Sequence, residues 1–422
     1  MQGVLIIVLF FVFAFLMYKQ KISTFLALIF MALLFAAVGG VPLNGKTGIL
    51  QGIVASGAIM LADSIVAVVF GAWLGEILNE TGITRDIVRR AAELGGDKPI
   101  ILAIIMSMAV GVLFTALTGL GSVIMVGTLV LPILSAAGIR PIVAGSMYLF
   151  ARAIGLVINL TTWQVFMNIT KLPLPAIRDF GFIASGVCVL GVLAFIFIEL
   201  RSPKAAWSLA AAPADGQSSP GRRVPAIALL TPLIPFPLVI AFQWPIVPAL
   251  FVGCLFGVLT TAPRDGLRIL TKTIHEGVKS AVPAIILFII IGMVLKAVAN
   301  PQVSNSLLAV GKSIVPRDVI SYLAFFIVLA PLALYRGPLN IYGLGSGVLG
   351  LLVSINAIPA AAVAAGFMAT LVVELAGDPT NTQNVWVSDF LGLEVNDITR
   401  KALPYLWAVC TVCVVAGAFI YF

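Results

Sequence analysis

The chain has 422 residues, 61% of them hydrophobic and 10% charged, with a net charge of +8 at pH 7 and a mean hydropathy of +1.15. That balance excludes a soluble globular protein, which needs more charge to cover its surface. It also excludes a β-barrel, whose apolar segments are short and alternating, where these are long and recur from end to end. The surplus of Lys and Arg reads as the loop charge of a polytopic α-helical membrane protein, with the bilayer rather than nucleic acid as its surroundings.

In chain order, spans are predicted at roughly 2–17, 22–41, 54–79, 142–170, 181–199, 224–242, 245–262, 280–300, 358–386 and 403–421. The first has neither a basic leader nor a small-residue cleavage site and reads as a membrane helix, not a signal peptide. Two further apolar stretches, about 98–137 and 315–355, are interrupted near the middle and read as re-entrant hairpins. Between the third span and the first hairpin, "TRDIVRRAAEL" at 84–94 is amphipathic and reads as a surface helix. The segment 201–223 is the one linker-like stretch, rich in Pro, Ala, Ser and Gly, and divides the chain into 1–200 and 224–422.

This layout puts 17 of the 25 Lys and Arg on one side, 5 on the other, and leaves Arg152, Lys296 and Arg336 at membrane depth. The richer side is cytoplasmic by the positive-inside rule, which places both termini outside, in a bacterial inner membrane. Cys188, Cys254, Cys410 and Cys413 all fall in apolar spans, and His275 stands alone in a charged loop. No metal set, nucleophile–base pair or nucleotide-binding loop is visible, so neither an enzyme nor a nucleotide-driven pump is expected, and no cofactor beyond a coupling Na⁺.

The two halves repeat. "GLGS" occurs at 119–122 and again at 343–346, and a polar interruption follows each: "NLTTWQVFMN" at 159–168 and "GDPTNTQNVW" at 377–386. An odd number of spans per half turns the second half upside down. The fold expected is therefore all-α and polytopic: two inverted-topology repeats, each with five transmembrane helices, a re-entrant hairpin and one broken helix. In such architectures the substrate site lies near the midplane between the repeats.

This order of elements, with the local text "GAWLGEILNETGITRDIVRRAAEL" at 71–94, resembles the ion transporter superfamily, most closely its gluconate permease and citrate transporter branches. The dicarboxylate branch carries Ser-Asn-Thr at its helix breaks; here "TNT" at 380–382 and "NLTT" at 159–162 stand in comparable places. The resemblance implies a homodimer working by an elevator-like motion.

Broken helices expose backbone groups that protein, water or ligand must satisfy. Candidate substrate contacts are Gly119, Gly121 and Ser122 with Asn159, Thr161 and Thr162 in the first half. In the second they are Arg336, Asn340, Gly343, Gly345 and Ser346 with Thr380, Asn381, Thr382 and Gln383. The glycines are expected to let backbone approach a ligand. Arg336 suits a carboxylate. Arg152 either does the same or pairs with Glu374, its counterpart in the other repeat. Asp378, Glu374 and Asp63 are the candidates for ion coupling, and Asp378 before Pro379 is equally placed to cap the half-helix that follows. The leading function is symport of a small organic anion, of the carboxylate class, with H⁺ or Na⁺; a cation/proton antiporter and a passive channel are the alternatives.

Overall fold

The computed structural model describes residues 2–19, 21–201, 223–311 and 315–422, so most of the linker-like segment lies outside the described residues. Helices account for all regular structure described. The first repeat runs α1 (Gln2–Tyr18), α2 (Thr24–Val38), a π-helical turn (Ile49–Ala55) leading through α3 (Ser56–Ala58) to α4 (Ala62–Glu80), and α5 (Ile83–Gly95). It continues with α6 (Pro99–Phe114), α7 (Gly119–Ala136), α8 (Pro141–Val157), α9 (Leu160–Thr170) and α10 (Leu174–Leu200). The second runs from a 3₁₀ helix (Ala226–Leu233) through α11 (Pro235–Ile240), α12 (Ile246–Thr261), α13 (Gly266–Ala299) and α14 (Pro301–Gly311). It ends with α15 (Val319–Val328), a 3₁₀ turn (Ala330–Ala333), α16 (Gly345–Ile355), α17 (Ala360–Gly377), α18 (Thr382–Phe390) and α19 (Val395–Tyr421).

Among the described residues six helices are long and apolar enough to cross a bilayer, and the α8–α9 pair, bent by 58° at its break, makes a seventh. α13, at 34 residues, is about 51 Å long, well beyond the ~30 Å of hydrocarbon, so its charged first turns project past the membrane core. The amphipathic surface helix is present as α5, where Arg89 and Arg90 both hold the buried Asp86. The stretch 224–242 departs from the single α-helical span predicted. Pro225, Pro232, Pro235 and Pro237 remove the donors a continuous α-helix needs, and the backbone tightens into a 3₁₀ helix followed by the short α11.

Two helices sit at the centre. In α8 every residue from Val143 to Val157 is buried, and in α17 every residue from Ala362 to Gly377. Both are mainly apolar, with Arg152 and Glu374 as their single charged residues, and rich in Ala and Gly, the composition that lets helices close on one another without lipid between them. α6 crosses α8 at Gly111 and Gly155, and a Cβ at Gly155 would fall on the backbone of Gly111 and Phe114. Around this core α10 and α19 pack, while α2, α4, α12 and α13 form a second group. In the second group Gly57 meets Gly292, and the Trp73 indole donates to Thr273 Oγ1 at 3.0 Å.

Ion pairs tie the helix ends together. Glu199 binds Arg140 at 3.4 Å and Lys401 at 2.6 Å and accepts from Tyr405 Oη at 2.8 Å, joining α8, α10 and α19. Lys272 reaches both oxygens of Glu80 at 2.7 Å, joining α13 to α4. Elsewhere Asn300 Nδ2 donates to the Thr47 carbonyl at 3.2 Å.

Candidate functional site

The first break is short. α8 ends at Val157 and α9 opens at Leu160, with Asn159 as its N-cap. Asn159 Oδ1 accepts from the Thr161 N–H at 2.9 Å and from Thr161 Oγ1 at 2.6 Å, which satisfies the exposed start of α9. Its Nδ2 reaches across to the Phe114 carbonyl at 3.1 Å and the Leu117 carbonyl at 3.4 Å, in the turn of the first hairpin. The loose end of α8 is closed by Trp163, whose indole donates to the Val157 carbonyl at 3.0 Å. All of these groups are neutral.

The second break uses charge. Asp378, fully buried, follows α17 and takes five hydrogen bonds on its two oxygens. Oδ1 accepts from the N–H groups of Tyr335 and Thr380, both at 2.9 Å, and from Thr380 Oγ1 at 2.7 Å. Oδ2 accepts from the Arg336 N–H at 3.2 Å and from Asn340 Nδ2 at 2.9 Å, with Arg336 Nε at 3.9 Å. Tyr335 and Arg336 are consecutive non-glycine residues in the left-handed region, both at φ +55°, a conformation that costs roughly 1–2 kcal/mol per residue. It turns their N–H groups to the same side, and the carboxylate they share offsets the strain. Asp378 is thus a clamp on the second hairpin. It does not cap α18, which opens at Thr382 under Asn381, whose Oδ1 accepts from the Gln383 N–H at 3.1 Å.

The carbonyls at the end of α17 are met in turn. Thr399 Oγ1 donates to Gly377 at 2.8 Å, and Asn384 Nδ2 to Asp378 at 3.0 Å. The Leu375 carbonyl is met by Arg152 Nη2, which also donates to Asn384 Oδ1 at 3.1 Å. Arg152 therefore lies across the negative end of the α17 dipole. The Arg152–Glu374 pair expected from repeat symmetry does not form; Glu374 turns to the second hairpin, where Oε2 accepts from the Ile341 N–H at 2.8 Å. Symmetry-related positions in inverted repeats are counterparts in their own halves and need not be neighbours.

Three of the four interruptions meet at the start of α9, and the second break joins them through the second hairpin. Asn159 holds the first hairpin, and Thr162 Oγ1 lies 3.5 Å from Tyr342 Oη in the second. Arg336 lies folded along its own hairpin, Nη1 donating to the Tyr342 carbonyl at 3.2 Å, and is only half-buried. Beside it, Glu374 Oε1 and Asn340 Oδ1 are buried acceptors with no partner among the described residues. Arg336, Asn340, Glu374, Asp378, Thr380, Thr162 and Tyr342 thus form one polar cluster inside apolar helices.

Other candidates fall elsewhere. Asp63 is exposed in the first turn of α4, apart from this cluster. Gly343 and Gly345 pack on the hairpin's own backbone at Arg336 and Asn340, so their lack of a Cβ serves the turn and not a ligand. Ser346 Oγ donates to the Gly343 carbonyl at 3.0 Å, inside the same turn. Gly119, at φ +81°, begins α7, and Gly121 and Ser122 face α4 near Glu76 and Gly75. Tyr342, Asn384 and Glu76 were not among the residues singled out from sequence. The available signals were the position of Tyr342 directly before "GLGS" and the placing of Asn384 one turn after Asn381.

No known family model matches the chain, and no curated protein does. Among solved structures, the fold is similar to that of the Alcanivorax borkumensis YdaH transporter, whose crystal structure is described as having an unusual topology. The TM-score is 0.68 at 14% identity, covering 94% of this chain and 98% of that one. At that identity the likeness establishes the fold alone: an all-α polytopic membrane protein, in keeping with the apolar spans and the bent α8–α9 pair described above.

Proposed function

We propose that the protein is a secondary active transporter that carries a small organic anion, of the carboxylate class, together with H⁺ or Na⁺ by alternating access. The observation that carries this reading is the cluster at the second break, where a half-buried guanidinium stands beside two unpartnered oxygen acceptors. A planar cation that keeps partial exposure suits a carboxylate. Buried acceptors without donors suit a proton or a hard cation, since an unmet buried polar group is costly. Substrate and coupling ion then neutralise one another, which lowers the cost of carrying either past an apolar barrier.

In this reading Arg336 receives the anion with Thr162, Thr380 and Asn340 around it, and Glu374 carries the coupling ion. Asp378 and Arg152 hold the second break in shape, and Asn159 does so at the first. The resemblance to the ion transporter superfamily is the ground for adding a dimer and an elevator-like motion to this proposal, and the loop charge is the ground for a bacterial inner membrane with both termini outside. A cation/proton antiporter is the second reading, favoured by the Arg336–Asp378 contact at 3.9 Å, which is the internal pairing that such a protein would need.

Purified protein in liposomes separates the two. Labelled gluconate, citrate, succinate and a small sulfonate are offered under imposed H⁺ or Na⁺ gradients, for wild type, Arg336→Ala and Glu374→Gln. Symport predicts gradient-driven accumulation of one anion, loss of affinity in Arg336→Ala, and exchange without gradient-driven accumulation in Glu374→Gln. No anion accumulation, with cation-dependent internal pH change that survives Arg336→Ala, rejects symport in favour of antiport.

A further inference from the structure

Tyr342 is the residue through which three parts of the molecule touch. Its ring stacks on Phe288 of α13, with centroids 6.3 Å apart and planes at 30°. Its hydroxyl lies 3.5 Å from Thr162 Oγ1, in the first turn of α9. Its carbonyl accepts from Arg336 Nη1, and Gly343, next in the chain, is packed on the Arg336 backbone. The residue is therefore fixed to its own hairpin by the backbone, and only its side chain reaches the other two bodies. Thr162 is buried beneath it and Phe288 is buried beside it, while Tyr342 itself keeps partial exposure.

We infer that Tyr342 is a positioning residue that closes the site: its side chain bridges the second hairpin and α13 and shields Thr162. Both side-chain contacts are of a readily broken kind, one aromatic pair and one hydroxyl pair at the limit of hydrogen-bond distance. Movement of the hairpin away from α13 must part the rings. Movement of α9 away from the hairpin must part the hydroxyls. Its counterpart in the other repeat, directly before the first "GLGS", is Thr118, which with Thr161 of α9 flanks Gly71. The first hairpin thus has no aromatic side chain at this place, and the closure belongs to the second hairpin alone. The inference rests on the transport reading only for its consequence, since the shielding can be measured with no substrate present.

The test is the reaction rate of a cysteine at position 162 with a small charged methanethiosulfonate, in nanodisc-embedded protein. The native cysteines Cys188, Cys254, Cys410 and Cys413 are all buried, so the parent protein supplies a low baseline. Thr162→Cys alone should react slowly. Adding Tyr342→Ala should speed the reaction by roughly two- to tenfold, the range that loss of one aromatic pair allows. Tyr342→Phe, which keeps the ring and the stack, should stay near the slow rate. Phe288→Ala should be fast, and it carries the test if Tyr342→Ala does not fold. Rapid labelling with Tyr342 in place, or equal rates in the Phe288→Ala and Tyr342→Ala backgrounds and in the single Thr162→Cys protein, overturns the inference. A failed uptake panel would leave the labelling result standing, and failed shielding would leave uptake unaffected as evidence.

Discussion

The two breaks solve one problem with opposite polarity. At the first, the turn of the hairpin presents carbonyls, at Phe114 and Leu117, and an amide donor on Asn159 meets them. At the second, the hairpin presents N–H groups, at Tyr335 and Arg336, and a carboxylate on Asp378 meets them. The first break closes with every group neutral. The second imports a charge, and with it come Arg336, Glu374 and the unpartnered acceptors. Repeated architecture therefore need not mean repeated chemistry: one half closes its break with neutral groups and the other supplies every charged group of the polar cluster.

The largest effect should come from removing the clamp. Asp378→Ala removes the acceptor of the Tyr335, Arg336 and Thr380 N–H groups and one of the two acceptors of Asn340 Nδ2, which keeps the Ala333 carbonyl, a loss of about 3–5 kcal/mol by analogy with broken buried charge networks. Detergent-extracted protein should lose its monodisperse peak at a much lower temperature than wild type, with Asp378→Asn intermediate because the amide keeps one acceptor. The opposite ranking is expected at the first break. Asn159→Ala should cost about 1–3 kcal/mol, for a cap and two hairpin bonds. Asn159→Asp should be worse than alanine, since a carboxylate would face the Phe114 and Leu117 carbonyls. If aspartate is tolerated at 159 as well as asparagine, the polarity argument is wrong.

How much of this was legible in the sequence varies by feature. Hydrophobic runs marked the spans, the hairpins and both broken helices, because the bilayer imposes length and composition on every crossing segment. The repeat was readable because "GLGS" and the polar breaks recur in order. Its detail was not. "GLGS" reads as the tip of a hairpin, yet Gly119 and Gly345 are already the first residues of α7 and α16, since glycine serves a helix start and a turn alike. The prolines at 225–237 looked compatible with a span because hydropathy does not count lost donors. Asp63 reads as a buried acid by its neighbours, but its side of α4 is open. Tyr342 carries no signal in a composition-based reading, because its importance comes from Phe288 and Thr162, 54 and 180 positions away.

The smallest effect, and the sharpest comparison, lies at Gly155 and Gly377, which occupy the same position in the two repeats, four residues before Asn159 and Asn381. A Cβ at Gly155 falls on the backbone of Gly111 and Phe114, and two helices must part to admit it. A Cβ at Gly377 meets only the ends of side chains, Leu406 Cδ1 at 3.1 Å and Leu334 Cδ2 at 3.3 Å, which can turn aside. Gly155→Ala should therefore cost roughly 1–3 kcal/mol as an overpacked core. Gly377→Ala should stay within ~1 kcal/mol of wild type, because crowding there is offset by the better helix propensity of alanine. Both are single methyl additions at matched sites, so thermal melts of the two in the same detergent isolate the packing from the chemistry. Equal losses would mean that α17 is held as tightly as α8, and that the second break has no more freedom to move than the first.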